Sequence, residues 1–80
     1  MPARFDARFV VSVTPADVGE RVSLRRRLPT GEYSDVVGVL QSWSGGVLQI
    51  RRRTDELVEV PEGIIVAGKV VPPAPPRRPR

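Results

Sequence analysis

Two runs of three arginines are the residues of this sequence whose type and spacing best suit recognition chemistry. They are Arg25–Arg27 and Arg51–Arg53, and the only tryptophan, Trp43, lies between them. Guanidinium groups pair with carboxylates and phosphates, and a tryptophan ring offers a flat apolar surface to a peptide or a base. The candidate interaction surface therefore comprises Arg25, Arg26, Arg27, Arg51, Arg53 and Trp43. The alternative for Trp43 is a structural role, in which it packs against the end of the fold or under the Ser44–Gly46 turn.

Side chains for catalysis are scarce. The chain has no cysteine and no histidine, which removes the thiol nucleophile, the usual general base near neutral pH and the commonest metal ligand. Of the groups that remain, including Tyr33 and Lys69, no two have the spacing of a catalytic dyad, and Asp55-Glu56 is typical of a solvated turn. We expect no catalytic, cofactor-binding or metal-binding residue here and interpret the chain as non-enzymatic.

The positive charge is concentrated at the C-terminal end. The net charge is +4, and Arg77, Arg78 and Arg80 supply three of these charges, whereas residues 1–69 hold ten basic and nine acidic side chains. The high isoelectric point therefore gives weak support to nucleic-acid binding by the folded part. The longest early apolar run, Phe9–Val11, is too short for a signal sequence or a membrane span, so we expect a cytoplasmic protein with no membrane partner.

Short stretches of alternating polar and apolar residues predict five strands, at 21–25, 35–42, 47–52, 57–60 and 64–70. Ser44-Gly45-Gly46 predicts a tight hairpin, and Pro61-Glu62-Gly63 predicts a single helical turn. The second strand is apolar on both faces, with Gly38 at its middle, where a bend or a bulge would be least costly. Five hairpin-linked strands in about fifty residues favour a closed, all-β, SH3-like barrel over an open sheet.

The chain divides into three predicted segments. Residues 1–13 form an N-terminal extension, residues 14–71 the barrel, and residues 72–80 a proline-rich linker or tail. Five prolines in the last ten residues predict a disordered tail of polyproline II character, since proline lacks an N–H for strand pairing. Such a tail would serve as a linker or as a ligand for a proline-recognition domain.

Several stretches of the sequence resemble the N-terminal SH3-like domain of a family of bacterial GNAT-type N-acetyltransferases. The resemblance covers residues 14–78 and lies in RRRLPTGEYSDVVGVLQSW, VLQIRRR, LVEVPEGIIVAGKVV and PPAPPRR. Its most specific parts are Asp35–Leu40 with Trp43, then Val60–Glu62, then Lys69 ahead of Val71-Pro72-Pro73. The resemblance implies a barrel whose proline-rich segment leads into a catalytic domain.

The glycine-rich loop with which GNAT domains bind the acetyl-CoA pyrophosphate is missing, since Gly45-Gly46 belongs to a hairpin. The resemblance therefore implies acetyl-CoA only in a catalytic domain beyond this chain, in a longer parent enzyme. The predicted function is that of a non-catalytic accessory or interaction module of an N-acetyltransferase, either excised from the enzyme or encoded alone. Its partner would be a GNAT-type catalytic domain in cis or another protein. The alternative is a small basic barrel that binds nucleic acid or the ribosome.

Strand order gives an expectation for the two arginine runs. The first run lies at the end of the first strand and the second run at the end of the third strand, and both of these strands flank the second strand. We therefore expect the two runs to converge at one end of the barrel near Asp35. Such a cluster could be a solvated rim, a docking surface for an acidic partner or a nucleic-acid site.

Overall fold

The computed structural model describes residues 11–73, which form an all-β domain. The elements in chain order are a 3-10 helix (Pro15–Asp17), β1 (Arg21–Arg27), β2 (Tyr33–Ser44), β3 (Val47–Arg51), β4 (Leu57–Pro61), a second 3-10 helix (Glu62–Ile64) and β5 (Ile65–Val70). The predicted all-β class, the five strands and the helical turn before the last strand are confirmed.

Strand β2 is the centre of one antiparallel sheet with the order β4-β3-β2-β1-β5. It is twelve residues long, and it pairs with β1 over residues 33–39 and with β3 over residues 39–44. Because one long strand pairs with different neighbours along its two halves, the sheet curls into a small barrel-like domain around a single core.

The core is built from the inward positions of the alternating strands. These positions are Val22, Leu24, Val36, Leu40, Leu48, Ile50 and Val60, and Val13, which precedes the first 3-10 helix, is buried with them. Each buried aliphatic side chain contributes roughly 1.5–3 kcal/mol relative to an exposed one, which makes this cluster the main source of stability. The inward directions predicted for Val22 and Leu24 are confirmed.

Gly38 on β2 lies against β3 with no room for a side chain. A Cβ atom at this position would collide with the carbonyl oxygen of Arg51 and would lie 2.8 Å from Cγ2 of Ile50. Only glycine fits without a shift of the main chain. The irregularity in the β2–β3 register lies elsewhere, between Leu40 and Ser42.

Two hairpin loops of the same geometry follow β1 and β3. They span residues 28–32 and 52–56, and in each the N–H of the first residue donates to the carbonyl oxygen of the last at 2.8 Å. The residue before the last has a positive φ, 91° at Gly31 and 76° at Asp55. The three residues between the hydrogen-bonded first and last residues thus form a three-residue hairpin loop, and the last of the three has the left-handed conformation.

Residues 11–13 pack against β5, so the packed region begins within the segment predicted as an N-terminal extension. The N–H and the Oγ of Ser12 both donate to the carbonyl oxygen of Gly68, at 2.9 and 3.0 Å. Val13 is only 4% exposed. The expectations for residues 1–10 and for residues 74–80, including the disordered tail, lie outside the described residues. Between residues 11 and 73, no helix has the length and apolar character needed to cross a bilayer.

Candidate interaction surface

The two arginine runs, named here the β1 triplet (Arg25–Arg27) and the β3 triplet (Arg51–Arg53), lie at different places along β2. Arg25 is opposite Asp35, whereas Arg51 is opposite Val39, four residues further along the strand. At about 3.3 Å per residue, this offset amounts to roughly 13 Å. The predicted convergence near Asp35 is therefore wrong. The two-residue turn at Gly45-Gly46 pairs the end of β3 with the middle of β2, and β3 never reaches the start of β2.

The neighbour of Arg51 across the sheet is Arg21. The register pairs Val39 with Arg21 on one side and with Arg51 on the other, so the valine lies between the two arginines. All three side chains point away from the core, because each has a buried neighbour on its own strand, Val22, Leu40 or Ile50. This row borders a groove of about 440 Å³, the outer groove. Its lining includes Val37, Val39, Pro73, Arg21 and the β3 triplet.

The outer groove carries an excess of positive charge. Its lining holds four arginines and one acidic residue, Glu20. The part of the chain that is described has no such imbalance, since residues 11–73 contain eight basic and eight acidic side chains. The groove is therefore a local cationic site on a domain that is neutral overall.

The arginines of the β3 triplet differ in their partners. Arg51 lies 3.8 Å from the carboxylate of Asp55, and Arg52 lies 3.6 Å from that of Glu56. Long, exposed pairs of this kind contribute at most about 1 kcal/mol. Arg53 makes neither a hydrogen bond nor an ion pair with any residue from 11 to 73. Its guanidinium group can therefore bind an anion without breaking a contact to these residues.

Arg21 also fixes the place where the chain leaves the barrel. Its Nη1 donates to the carbonyl oxygen of Pro72 at 2.9 Å, and its own carbonyl oxygen accepts from the N–H of Val71 at 2.9 Å. Pro73 then lines the outer groove. Pro73, the last residue that the structure describes, therefore lies at this groove.

Arg25 is neutralised by a neighbour on β2. Its Nε donates to Oδ1 of Asp35 at 2.9 Å, and its Nη2 donates to Oδ2 at 3.3 Å. The hydrogen bond from Arg25 lowers the pKa of the Asp35 carboxyl below its ordinary value; partial desolvation opposes this shift, and the positive charge adds to it. The same contacts raise the pKa of Arg25. Asp35 therefore forms a local ion pair across the β1–β2 hairpin.

The other two members of the β1 triplet face different surroundings. Arg26 is half-buried on the inward face, and its Nε is shielded from solvent without a hydrogen-bond partner among the described residues. Arg27 is exposed and borders a second, mainly apolar groove near Leu28, Pro29 and Ile64. The β1 triplet therefore does not form one cationic surface.

Trp43 is part of the scaffold. Its ring is half-buried against the core, and its Nε1 donates to Oε1 of Glu62 at 2.8 Å. The N–H of Glu62 in turn donates to the carbonyl oxygen of Gly46 at 2.8 Å, so the contact joins the β2–β3 hairpin to the second 3-10 helix. Trp43 lines neither of the two grooves.

Sequence reasoning missed Arg21, Val37 and Val39 as members of the candidate site. A signal for them was present, because a strand that is apolar on both faces must present some valines outward. Counting pairs back from the 28–32 loop would have placed Arg21 opposite Val39. The same count from the Gly45-Gly46 turn would have placed Arg51 opposite Leu40, because the irregularity between Leu40 and Ser42 shifts the register by one residue. No group of His, Cys, Asp and Glu suited to a metal ion occurs within residues 11–73.

A five-stranded antiparallel sheet curled around one aliphatic core defines a small β-barrel-like domain. The chain belongs to the family described as the Rv0428c N-terminal Sm-like domain, whose sequence model matches residues 16–69. The match runs from the first 3-10 helix into β5 and so includes the outward row of β2. The family description is Sm-like, where the sequence had suggested the label SH3-like. No curated protein and no solved structure matches this chain.

Proposed function

We propose that this chain is a non-catalytic interaction module that works with an N-acetyltransferase. The family description names an N-terminal domain, which agrees with a module that precedes another part of a protein. Residues 14–78 resemble the N-terminal domain of GNAT-type acetyltransferases, which suggests what the other part is. A small Sm-like β domain fits docking better than acetyl transfer.

The observation that carries this proposal is the outer groove at the chain exit. The groove combines two outward valines with four arginines, and Pro73, the last described residue, lines it. A catalytic domain attached there would start beside a surface that is both apolar and cationic. An acidic surface on that domain, or on a separate protein, would complement it.

Nucleic-acid binding is the second candidate, favoured by the four arginines of the groove. Single-stranded sites usually add aromatic side chains on which bases stack. The aromatic residues of the described segment, Tyr33 and Trp43, do not line the groove. Protein docking is therefore the better-supported function.

Affinity purification of the tagged chain from its native cells, with identification of bound proteins by mass spectrometry, tests the association. We expect a GNAT-type acetyltransferase to be enriched relative to an Arg51→Glu, Arg53→Glu double variant. If the codon for Arg80 is followed by more coding sequence, we expect that sequence to encode the acetyltransferase. Enrichment of ribosomal or RNA-binding proteins without an acetyltransferase would contradict the proposal.

The non-catalytic part of the proposal has its own test. Isothermal titration of the chain with acetyl-CoA should give no binding heat, because the chain lacks a glycine-rich loop that opens a helix. Binding in the micromolar range would require an acetyl-CoA site within these residues and would refute this part.

A further inference from the structure

The outer groove has an apolar floor and a cationic border. Val37 and Val39 are two residues apart on β2, so their side chains lie on one face about 7 Å apart. Arg21 and Arg51 lie on the adjacent strands, each about 5 Å from Val39 at the Cβ positions. A ligand that covers the valines therefore has guanidinium groups on both sides.

We propose that the outer groove binds an extended acidic segment of a protein, with one aliphatic side chain on Val37 and Val39 and carboxylates at Arg21 and Arg53. This inference rests on the proposed function, which makes the groove a docking surface, and it adds the chemistry of the partner. The aliphatic residue would cover the half-buried valines. The carboxylates would pair with guanidinium groups in a fork geometry that suits them.

Charge complementarity selects an acidic occupant. Asp55 and Glu56 pair with two of the four arginines that line the groove, which leaves Arg21 and Arg53 without a carboxylate partner among residues 11–73. The chain's own C-terminal residues do not complement it, since they include Arg77, Arg78 and Arg80 and no acid follows Glu62. The occupant is therefore a segment of another domain or protein.

The valine floor distinguishes an acidic protein segment from a nucleic acid. Both would satisfy the arginines, but a nucleic acid brings bases that gain most from aromatic platforms. The floor of this groove offers two β-branched aliphatic side chains and a proline. An aliphatic side chain fits such a surface and gains free energy by excluding water from it.

A fluorescein-labelled peptide, in which one leucine is flanked by two aspartates on each side, tests this inference by fluorescence anisotropy with the full chain. Arg53→Glu should weaken peptide binding by about five- to tenfold, because repulsion replaces attraction at an unpaired guanidinium group. The matched control is Arg27→Glu. Arg27 is also exposed and also makes no hydrogen bond or ion pair within residues 11–73, but it borders the second groove.

Arg27 lies opposite Tyr33, six residues along β2 from Val39, which amounts to roughly 20 Å. Salt screens charges at this separation, so Arg27→Glu should change the affinity by less than about twofold. Equal effects of the two variants would show attraction to net charge alone and would overturn the proposal. Val37→Thr keeps the β-branched shape and should weaken binding about threefold, as should replacement of the peptide leucine by serine. Binding that is insensitive to both changes would remove the aliphatic contact and refute the proposed mode.

A twelve-nucleotide single-stranded RNA serves as the competing probe under the same conditions. The proposal predicts that the peptide binds more tightly than the RNA. Tighter RNA binding with the same dependence on Arg53 would assign the groove to nucleic acid and overturn the inference. Failure with the peptide while an acetyltransferase still copurifies with the chain would refute the inference and leave the proposed function standing.

Discussion

The β1 triplet and the β3 triplet approach hairpin loops of the same geometry, yet they have different surroundings. The β1 triplet ends one residue before the loop at 28–32 begins. The β3 triplet is displaced by two positions: Arg51 ends its strand, Arg52 is the first residue of the loop at 52–56, and Arg53 follows it. The same three letters therefore occupy different positions relative to the same turn.

This displacement decides which side chains can act together. Inside β1, alternation sends Arg25 and Arg27 outward and turns Arg26 toward the interior. At the end of β3 the loop relaxes that alternation, and all three arginines line the outer groove. In this protein, the three arginines of a run line one surface only where the run continues past the end of its strand, as the β3 triplet does. The position of such a run relative to a turn has to be known before a function is assigned.

The largest effect is expected from a substitution that disturbs the packing of β2 against β3, because this packing holds the β3 triplet in place. Gly38→Ala puts a methyl group against the carbonyl oxygen of Arg51. Because main chain must move to make room, we expect the free energy of unfolding to fall by about 2–3 kcal/mol, a large share of the stability of so small a domain. Urea denaturation followed by Trp43 fluorescence measures it.

Gly63→Ala is the matched control for this substitution. An added Cβ at Gly63 has no atom within 4 Å, and this glycine does not have a positive φ. We expect its stability to stay within about 0.5 kcal/mol of the parent. If the two alanine variants were equally stable, the close approach at Gly38 would have no energetic importance.

The next largest effect on stability is expected at Arg26, the middle residue of the β1 triplet. Arg26→Met keeps an unbranched side chain and removes the shielded, unpaired Nε. Since an unsatisfied donor is costly to bury, we expect the free energy of unfolding to rise by up to about 1 kcal/mol. Thermal unfolding followed by circular dichroism would show the change.

Arg51→Met provides the contrast. The Nη1 of Arg51 donates to the carbonyl oxygen of Asp55 at 3.1 Å, so the substitution loses a contact and should lower stability by up to about 1 kcal/mol. A destabilised Arg26→Met variant would mean that the Arg26 side chain has a favourable role in the folded protein.

Local patterns predicted most of the fold. Period-two alternation and the breaks at Gly and Pro placed β3 and β4 within one residue of their observed ends. β1 and β2 run further than predicted, to Arg27 and from Tyr33, because polar residues continue the pairing without any apolar alternation to mark it. β2 also runs two residues further than predicted at its other end, to Ser44.

The candidate site was harder to predict because it depends on contacts between distant parts of the sequence. The hydrogen bond from Arg21 to Pro72 joins residues 51 positions apart, and no local pattern signals it. The pairing of Val39 with both Arg21 and Arg51 depends on two hairpins, and in the second the register shift between Leu40 and Ser42 moves Arg51 from Leu40 to Val39. By contrast, the ion pair between Arg25 and Asp35 joins residues that face each other within one hairpin of regular register.

Removing an acid beside each triplet sharpens the comparison further. Asp55→Asn neutralises the partner of Arg51 and keeps a residue type that tolerates a positive φ. Asp55 is 89% exposed, so stability should change by less than about 0.5 kcal/mol. The affinity for the acidic peptide should rise by up to about twofold because the groove gains net positive charge. Anisotropy titration measures this, and Asp35→Asn should leave the affinity unchanged. A similar rise in both variants would mean that the groove is not the binding site.

The smallest effect is a pH dependence at the β1 triplet. Arg25 holds the pKa of Asp35 below its unfolded value, which is about 3.9. The folded state therefore gains stability from this carboxylate above that unfolded pKa, and it loses this contribution as the pH falls through the folded pKa. Asp35→Asn should lower the melting temperature by no more than a few degrees at pH 7, because both side chains are about half exposed. The two proteins should converge in strong acid. Circular dichroism melts from pH 7 to strong acid, in low salt, would show the convergence.

A difference in melting temperature that stayed constant or grew on acidification would mean that Asp35 stabilises the fold by a means other than its charge. Arg25→Gln is the control for the partner. It should reproduce the pH profile of Asp35→Asn, because it removes the guanidinium group that pairs with the carboxylate.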